Sequence, residues 1–390
     1  MSEVVSIPQL RFPEFRDEWR VDKFVDLCKF QQGVQVDVEL QSTEPKNNFL
    51  RFLRIENYTQ KSNDFRYIPK ELSSNKSITE NEIAIVRYGA TAGYIGRGLK
   101  GVLANNLFKL VLNKDTLDTD YLFHLLRSYK TFCFFQSEMS GGAMPALSFG
   151  IVGALKLPYS SISEQQKIAA FLTAVDNKIE QLSKKQELLG EYKKGLMQQI
   201  FSQAIRFKAD DGSDFPDWKE NKVDEFMEVT RGQVLAVPEM RQVESEIFKY
   251  PVYSSQTKNN GLTGYYTDYL FEDCITWTTD GANAGDVNYR AGKFYCTNVC
   301  GVLRSKKGYA NLCIAQILNS VSRRYVSYVG NPKLMNNVME KIKISIPSSI
   351  NEQTKIANFL SSVDSKIEEV GKQLDESKQF KKALLQKMFV

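Results

Sequence analysis

One segment occurs twice in this 390-residue chain. Residues 163–180 read SEQQKIAAFLTAVDNKIE, and residues 351–368, 188 positions later, read NEQTKIANFLSSVDSKIE. The match continues without a gap to Phe201 and Phe389, so it covers 39 residues of each copy. A similarity of this length at a constant shift indicates an internal duplication. The chain is therefore expected to fold as two related units.

Upstream of each copy the similarity is weaker but keeps its order, at a shift of 192 residues. GATAG at 89–93 aligns with GANAG at 281–285, and Asn106 aligns with Asn298. Each half is thus a variable globular domain followed by a repeated helix. The predicted segments are a first variable domain, a first helix, a second variable domain and a second helix, at 1–157, 158–205, 206–346 and 347–390. This pattern predicts a common role for the helices and separate roles for the domains.

Apolar residues follow a four-three spacing along both repeated segments, which is typical of a helix that packs against another helix. These seam residues are Ile168, Leu172, Val175, Ile179 and Leu182 in the first copy and Ile356, Leu360, Val363, Ile367 and Val370 in the second. Lys193 and Lys381 interrupt the seam at equivalent positions, and polar seam residues can fix the register of a coiled coil. Ser163 and Asn351 are the expected N-caps.

The simplest arrangement pairs the two repeated helices within one chain. The residues leave open whether the helices run parallel or antiparallel, and a pseudo-two-fold axis relating the two halves would make them antiparallel. A helix on an ordinary domain core is the alternative, although a pattern of 39 residues is long for it.

The variable domains mix strands with a few helices, which predicts an α+β fold with two globular α/β units joined by the two long helices. Strands are predicted near 82–88, 102–112, 274–278, 295–303 and 341–347, and helices near 119–129 and 309–320.

The glycine-rich loops at 89–93 and 281–285 follow predicted strands, and their glycines are expected to form backbone turns. Polar residues at these loops differ between the halves and are candidate readers of base edges: Arg87, Tyr88 and Thr91, against Thr279, Asp280 and Asn283. A purely structural hairpin is equally open. Asn106 and Asn298 are kept in both halves, which favours bracing a turn or contacting phosphate.

The net charge of +5 is modest, but the basic residues cluster in corresponding parts of the two halves. Residues 46–114 contain 12 Lys or Arg against 5 Asp or Glu, and residues 287–343 contain 10 against one. Such stretches predict contacts with phosphates, with a bland basic surface as the alternative. The candidates are Arg51, Arg54, Arg97, Lys100, Arg290, Lys293, Arg304, Lys306 and Arg323.

The sequence predicts no catalytic site and no metal site. The single histidine, His124, lies in an apolar helical pattern and is expected to be a packing residue, and the six cysteines lack the spacing of a zinc site. Neither a GxxxxGK[ST] nor an [ND]PP[YF] motif occurs. No run of about 18 apolar residues and no signal-peptide pattern occurs, which predicts a cytoplasmic protein without membrane contact.

The duplicated EQ-x-K-I-A-x-F-L-x-x-V-D-x-K-I-E helix, the proline before each copy and the GATAG and GANAG loops resemble the specificity subunit of a type I restriction-modification system. The resemblance implies that each variable domain is a target recognition domain for one half of a bipartite site in double-stranded DNA. It also implies an antiparallel coiled coil that sets the spacer, two docked methyltransferase subunits, and motor-nuclease subunits in the full complex. S-adenosylmethionine, ATP and Mg²⁺ would then belong to the partners, with no cofactor in this chain.

Two other classes of protein stay open at this point. A noncatalytic scaffold would bind protein through its coiled coil and carry its basic loops incidentally. A stand-alone nuclease would need acidic residues for a metal, and PDWKENK at 216–222 offers only Asp217 and Glu220, three residues apart without an intervening strand. Neither class explains the duplication as well as a type I specificity subunit does.

Overall fold

The chain divides into two compact units, and the division passes through both repeated helices. The computed structural model describes residues 8–74, 76–139, 145–255 and 259–389. Unit 1 comprises residues 1–185 and 371–390, and unit 2 comprises residues 186–370. Each unit therefore holds a variable domain together with parts of both repeated helices. The four segment boundaries drawn from the repeat stay a prediction.

In the first half of the chain, short strands and short helices precede the first long helix. The strands are β1 (Arg20–Lys23), β2 (Cys28–Gln32), β3 (Phe49–Leu53), β4 (Arg66–Pro69), β5 (Ser77–Ile78), β6 (Ala84–Val86), β7 (Ile95–Gly96), β8 (Gly101–Leu103), β9 (Leu107–Leu112) and β10 (Lys156–Tyr159). The helices are α1 (Phe24–Leu27), α2 (Ile55–Thr59), α3 (Thr119–Leu126), α4 (Tyr129–Met139), α5 (Phe149–Ala154) and α6 (Ile162–Phe201). The strands form sheets in the orders β2-β9-β6-β7, β4-β3-β8-β5 and β1-β10.

The second half repeats this plan with longer strands. The strands are β11 (Lys219–Lys222), β12 (Glu228–Arg231), β13 (Tyr250–Tyr253), β14 (Leu262–Tyr266), β15 (Phe271–Thr278), β16 (Val287–Cys296), β17 (Cys300–Arg304) and β18 (Lys343–Ile346). The helices are α7 (Val223–Phe226), α8 (Leu312–Ser322), α9 (Asn336–Met339) and α10 (Ile350–Met388). The strands form a six-stranded sheet, β12-β17-β15-β16-β13-β14, and the pair β11-β18.

Two predicted strands are each interrupted by a turn. The segment predicted at 102–112 is β8 and β9, and the one at 295–303 spans the end of β16 and the start of β17. A glycine packs against each turn: a Cβ at Gly33 would lie 2.2 Å from the Ala104 carbonyl oxygen, and one at Gly232 would lie 2.3 Å from that of Cys296. Each turn is therefore packed against a distant segment of the chain.

Both repeated segments are single continuous helices, α6 and α10, as predicted. The carbonyls of Ser161 and Ser349 accept backbone hydrogen bonds of the first helical turn at 3.0 and 3.1 Å. The helices thus begin before Ser163 and Asn351, and the N-cap prediction for these two residues was wrong. The preceding serines already provide the carbonyls that an N-cap provides.

Most of the predicted seam residues are buried. The buried ones are Ile168, Leu172, Leu182, Ile356, Leu360, Val363 and Val370, and the half-buried ones are Val175, Ile179 and Ile367. In unit 1, Ile168 and Leu172 share a hydrophobic cluster with Leu384 and Met388 of α10. In unit 2, Ile356 and Leu360 share another with Ile200 of α6.

The two lysines that interrupt the seam each pair with an aspartate of the other helix. In unit 1, the Nζ of Lys381 contacts the carboxylate of Asp176. In unit 2, the Nζ of Lys193 lies 2.6 Å from Oδ1 of Asp364. The members of these pairs correspond at the shift of 188, so the duplication extends to the ion pairs.

The repeated Glu-Gln dipeptide attaches the variable domain of unit 1 to α6. Glu164 is fully buried and accepts from Nε of Arg11 at 2.7 Å. The Oε1 of Gln165 accepts from the backbone N–H of Asp118, the N-cap of α3, at 2.9 Å. A buried carboxylate requires such a partner.

Unit 2 repeats this attachment on α10. Glu352 is fully buried and accepts from Nη2 of Arg206 at 3.2 Å and from the indole of Trp218 at 3.1 Å. The Oε1 of Gln353 accepts from Nδ2 of Asn311, the N-cap of α8, at 2.6 Å. The dipeptide therefore recurs because it performs the same packing role in both units.

Candidate nucleic-acid interface

The glycine loop of unit 1 is a tight backbone turn after β6. Gly89 and Gly93 have φ values of +91° and +86°, in the region that favours glycine. The N–H of Ala92 donates to the carbonyl of Gly89 at 2.9 Å, and that of Gly93 donates to Val86 at 2.9 Å. A second segment crosses the loop, since the N–H of Leu147 donates to the carbonyl of Arg87 at 2.8 Å.

The glycine loop of unit 2 repeats the same backbone hydrogen bonds. Gly281 and Gly285 have φ values of +93° and +88°. Ala284 donates to Gly281 at 2.9 Å, Gly285 donates to Thr278 at 2.9 Å, and a crossing segment donates from Leu334 to Thr279 at 2.9 Å. The prediction that these glycines form backbone turns is confirmed.

The side chains on these two turns differ in chemistry. In unit 1, the guanidinium of Arg87 lies 4.9 Å from the ring centroid of Tyr88 and 4.7 Å from that of Phe149. Tyr88 and Thr91 are exposed. This turn therefore presents a cation, a phenol and a hydroxyl group, which can donate to bases or phosphates.

In unit 2, the equivalent turn presents a carboxylate and an amide. Thr279 is fully buried, and its hydroxyl lies 2.6 Å from Oδ2 of Asp280. Asp280 also accepts from Nη2 of Arg231 at 3.4 Å, and Asn283 is half-buried. Thr279 thus positions Asp280 here, while base contact by any residue of this turn stays a prediction.

The predicted phosphate contacts of unit 1 lie partly in ion pairs. Arg54 contacts Glu56 at 2.8 Å, and Arg97 contacts the carboxylate of Asp120. Arg51 is exposed and stacks over Phe65 at 4.2 Å, and Lys100 is exposed. A surface pair of this kind is weak and can exchange its carboxylate for a phosphate.

The predicted phosphate contacts of unit 2 range from buried to exposed. Arg290 is 8% exposed, and burial lowers the pKa of its guanidinium. Arg304 lies 3.8 Å from Glu228, and Nε of Arg323 donates to Asp286 at 3.0 Å. The side chains that are exposed are Lys293, Arg304, Lys306 and Arg323. As a phosphate contact, Arg290 is the candidate that this burial supports least.

The two shared asparagines brace turns through their backbones. The carbonyl of Asn106 accepts from the N–H of Arg87 at 2.8 Å, and its buried Oδ1 has no hydrogen-bond partner among the described residues. The carbonyl of Asn298 accepts from Nε of Arg231 at 2.6 Å, and the residue is exposed.

Arg231 is a residue that the sequence reasoning missed. It lies outside the two basic stretches, yet its guanidinium contacts Asn298, Thr279 and Asp280. A sequence signal for Arg231 exists: it directly precedes Gly232, as Gln32 directly precedes Gly33 in unit 1. Gln32 also contacts a turn, because its side chain donates to the carbonyl of Asn105 at 2.8 Å.

The two acidic residues considered for a nuclease pair with different basic residues. Asp217 lies 3.5 Å from a guanidinium nitrogen of Arg206, and Glu220 lies 3.5 Å from Lys343. Within the part of the chain that the structure describes, no helix has both the length and the hydropathy to cross a membrane.

A family model described as the type I restriction modification DNA specificity domain matches residues 16–189 and 216–376. The chain belongs to this family. Each matched stretch contains one glycine loop and part of one long helix, so this chain carries two copies of the specificity domain. The predicted resemblance to type I specificity subunits is confirmed.

Relatives in this family align with parts of the chain. The specificity subunit of the type I restriction enzyme MjaVIII from Methanocaldococcus jannaschii is 30% identical over 235 residues, which are 57% of this chain and 52% of that protein. The chain thus spans about half the length of this relative. A Mycoplasma pneumoniae protein named as a type I specificity subunit is 31% identical over 214 residues, which are 54% of this chain and 82% of that protein.

Solved structures share the fold over nearly the whole chain. The crystal structure of the S subunit of a type I restriction-modification system from M. genitalium has a TM-score of 0.68 at 18% identity and covers 99% of each chain. A chain from a study of assembly and conformational transition in the type I system has a TM-score of 0.57 at 15% identity and covers 96% of this chain and 99% of that chain. The mixed α/β fold with two specificity domains is therefore confirmed.

Proposed function

We propose that this chain is the noncatalytic DNA-recognition subunit of a type I restriction-modification complex, in which each variable domain reads one half of a bipartite site in double-stranded DNA. One observation carries the proposal: the two glycine loops have the same backbone hydrogen bonds but present different polar side chains. Such an arrangement suits two domains that share one fold but recognise different DNA sequences, because hydrogen-bonding side chains at base edges specify sequence.

The long helices form an antiparallel intramolecular coiled coil that sets the spacer between the half-sites. The direction is supported by contacts within each unit, where position along α6 increases as position along α10 decreases. In unit 1, Ile168 and Leu172 cluster with Leu384 and Met388, while Asp176 pairs with Lys381. In unit 2, Ile200 clusters with Ile356, while Lys193 pairs with Asp364. The two sets of contacts correspond residue by residue at the shift of 188.

The repeated helices also give two methyltransferase subunits equivalent docking surfaces, and motor-nuclease subunits join for cleavage. S-adenosylmethionine, ATP and Mg²⁺ belong to these partners, and the complex works in the prokaryotic cytoplasm. The support is the recurrence of exposed residues on both helices, which packing of the buried seam does not require. Exposed residues such as Lys178 and Glu180 recur as Lys366 and Glu368, where no core contact demands them.

The test is co-expression of the chain with its neighbouring methyltransferase subunit, followed by genome-wide mapping of methylated positions by single-molecule sequencing. We expect a split motif with a fixed spacer. Replacing the variable domain of unit 2 by one from a relative should change one half-site and leave the other intact. A stable complex that methylates no split motif would favour the scaffold, and metal-dependent cleavage by the purified chain alone would favour the nuclease.

A further inference from the structure

Unit 2 contains a cleft of about 270 Å³ between its glycine loop, the start of β16 and α8. Its walls are almost wholly polar, whereas sites for small organic ligands are mostly apolar. We call it the amide cleft, after the four asparagines that line it beside two arginines and an aspartate: Asn260, Asn283, Asn288, Asn319, Arg290, Arg323 and Asp286.

Several side-chain amides of this cleft have donors or acceptors that make no hydrogen bond within the described residues. Among the described residues, the side chain of Asn288 has no hydrogen-bond partner in the protein, although the residue is half-buried. Asn319 uses only its Oδ1, which accepts from the N–H of Val287 at 3.0 Å. Asn283 donates to the Ser255 carbonyl at 3.5 Å, the limit of a hydrogen bond. A free amide can pair bidentately with N6 and N7 of adenine.

Arg290 forms a fixed cationic wall of the amide cleft. Its Nε donates to Oγ1 of Thr276 at 3.1 Å, its Nη2 donates to the carbonyl of Asn260 at 2.6 Å, and its guanidinium stacks on Tyr253 at 3.8 Å. The side chain is therefore held in place before any ligand arrives. A buried cation behind polar amides favours a ligand that is both polar and negatively charged overall, as DNA is.

Unit 1 has a cleft of about 250 Å³ at the equivalent place, with a different lining. At the shift of 192, Gly96 takes the place of Asn288, and Arg127 takes the place of Asn319. A Cβ at Gly96 would lie 2.5 Å from the ring of Tyr58, so the aromatic ring fills the space that an amide faces in unit 2. The two units thus vary the chemistry of this cleft within a common frame.

We infer that the amide cleft is a base-reading site of unit 2, with Asn288 as a specificity-determining residue that recognises an adenine. This inference rests on the proposed function, since it assigns the reading of one half-site to particular side chains. Asn288 pairs with the adenine edge, Asn283 and Asn319 border it, and Arg290 supplies the positive field. The corresponding position of unit 1 has no amide, so the two half-sites differ there.

The test compares the full chain with its Asn288→Ala variant, each co-expressed with the methyltransferase subunit, by mapping methylated positions genome-wide. We expect the variant to lose discrimination at one adenine position of one half-site, by between about five- and 150-fold. The other half-site and the spacer should be unchanged. Asn221→Ala, which removes an amide on β11 outside the cleft, is the matched control and should leave the whole motif intact.

The possible outcomes separate the two proposals. A wild-type complex that methylates no split motif defeats the proposed function, whatever the variant does. A split motif that Asn288→Ala leaves unchanged overturns the amide cleft alone. If the variant abolishes methylation, binding of the purified complex to oligonucleotides with single base changes decides: lost discrimination at one adenine supports the cleft, and uniform weakening at all positions overturns it.

Discussion

His124 is a buried titratable residue in an environment far from that of a free imidazole. It is 1% exposed, its Nε2 lies 3.0 Å from Oγ1 of Thr173, and its Nδ1 has no hydrogen-bond partner among the described residues. Burial lowers the pKa of His124 from 6.5 to about 4, against the opposing attraction of Asp176, with Lys381, Arg97 and Arg127 adding to the lowering. The imidazole is therefore neutral in the folded protein at pH 7.

This burial makes stability depend on pH. Because the folded pKa lies below the unfolded one, the unfolded state binds more protons between pH 6.5 and about 4. The contribution of His124 should therefore lower the free energy of unfolding by about 2 kcal/mol when the pH falls from 7.5 to 5. His124→Gln should remove this part, and glutamine suits the site because Gln316 occupies the equivalent position of unit 2. Denaturant unfolding of both proteins at the two pH values measures the difference.

Other groups also titrate in this range. The contribution of His124 is therefore the difference between the wild type and the variant in the change of unfolding free energy from pH 7.5 to 5. A His124→Gln variant that loses as much stability as the wild type between pH 7.5 and 5 would show that His124 does not respond as its burial requires. Gln316→Ala at the matched site of unit 2 should leave the pH dependence unchanged, because no titrating group is removed.

The burial or backbone conformation of single residues was predictable where it depends on the local sequence pattern. The burial of His124 followed from the apolar spacing of its helix, and the left-handed glycines followed from their loops. The bond to Thr173 could not be predicted, because it joins positions 49 residues apart on different helices. The burial of Arg290 could not be predicted either. Its basic stretch indicates charge, but its burial comes from Tyr253 on β13 and Thr276 on β15, which are distant in sequence.

At the scale of elements, the seam lysines explain how the two long helices find their register. A lysine on each helix meets an aspartate on the other, Lys193 with Asp364 and Lys381 with Asp176. Lys381 is 14% exposed at its side chain, and burial lowers the pKa of its amine. A shifted pairing would leave such charges unpaired, which favours one register.

A charge exchange tests this register. Asp364→Lys should place two lysines together and destabilise unit 2 by about 1 kcal/mol, a modest value because both side chains are partly exposed. Adding Lys193→Asp should restore most of the loss, since the pair is then reversed. Thermal unfolding of the single and double variants measures both steps.

The repeat supplies the matched control for this exchange. Lys381→Asp is the same change at the equivalent position, but Lys381 pairs with Asp176 and not with Asp364. Combined with Asp364→Lys, it should deepen the loss. Equal rescue by Lys193→Asp and Lys381→Asp would contradict the pairing that the structure assigns.

The elements themselves were predictable to different degrees. The long helices followed from a seam of sustained spacing, with their N-caps displaced by two residues because Ser161 and Ser349 accept the first helical bonds. The strands at 102–112 and 295–303 were each read as one, since apolar composition continues through their turns. Gly33 and Gly232 pack against those turns but are distant from them in sequence, so a prediction from local sequence does not include these contacts.

At the scale of the whole molecule, the duplication was the most predictable property, because it is visible as self-similarity. The pairing partners across it were not, since two helices of the same seam can pair in either direction. The amide cleft was also hidden: its walls come from a glycine loop, a strand and a helix, and Asn288 and Asn319 are unremarkable in sequence. Function at this level therefore depends on which distant residues the fold brings together.

The spacer hypothesis is tested by lengthening both helices where the two units meet in sequence, after Lys185 in α6 and after Val370 in α10. Seven residues inserted at each point keep the seam on one face and add about 10.5 Å of helix. At about 3.4 Å per base pair this corresponds to roughly three base pairs. We expect methylation mapping to show the same two half-sites with a spacer longer by about three base pairs.

A five-residue insertion at the same two points is the control, because it turns the seam by about 140° and should disrupt helix pairing instead of extending it. That variant should lose stability and methylate poorly. A seven-residue variant that folds but methylates different half-site bases, or keeps the original spacer, would argue that the helices do not set the distance. A longer spacer with unchanged half-sites would instead mean that reading lies in the variable domains and measuring lies in the repeated helices, which is the division of labour that the duplication predicts.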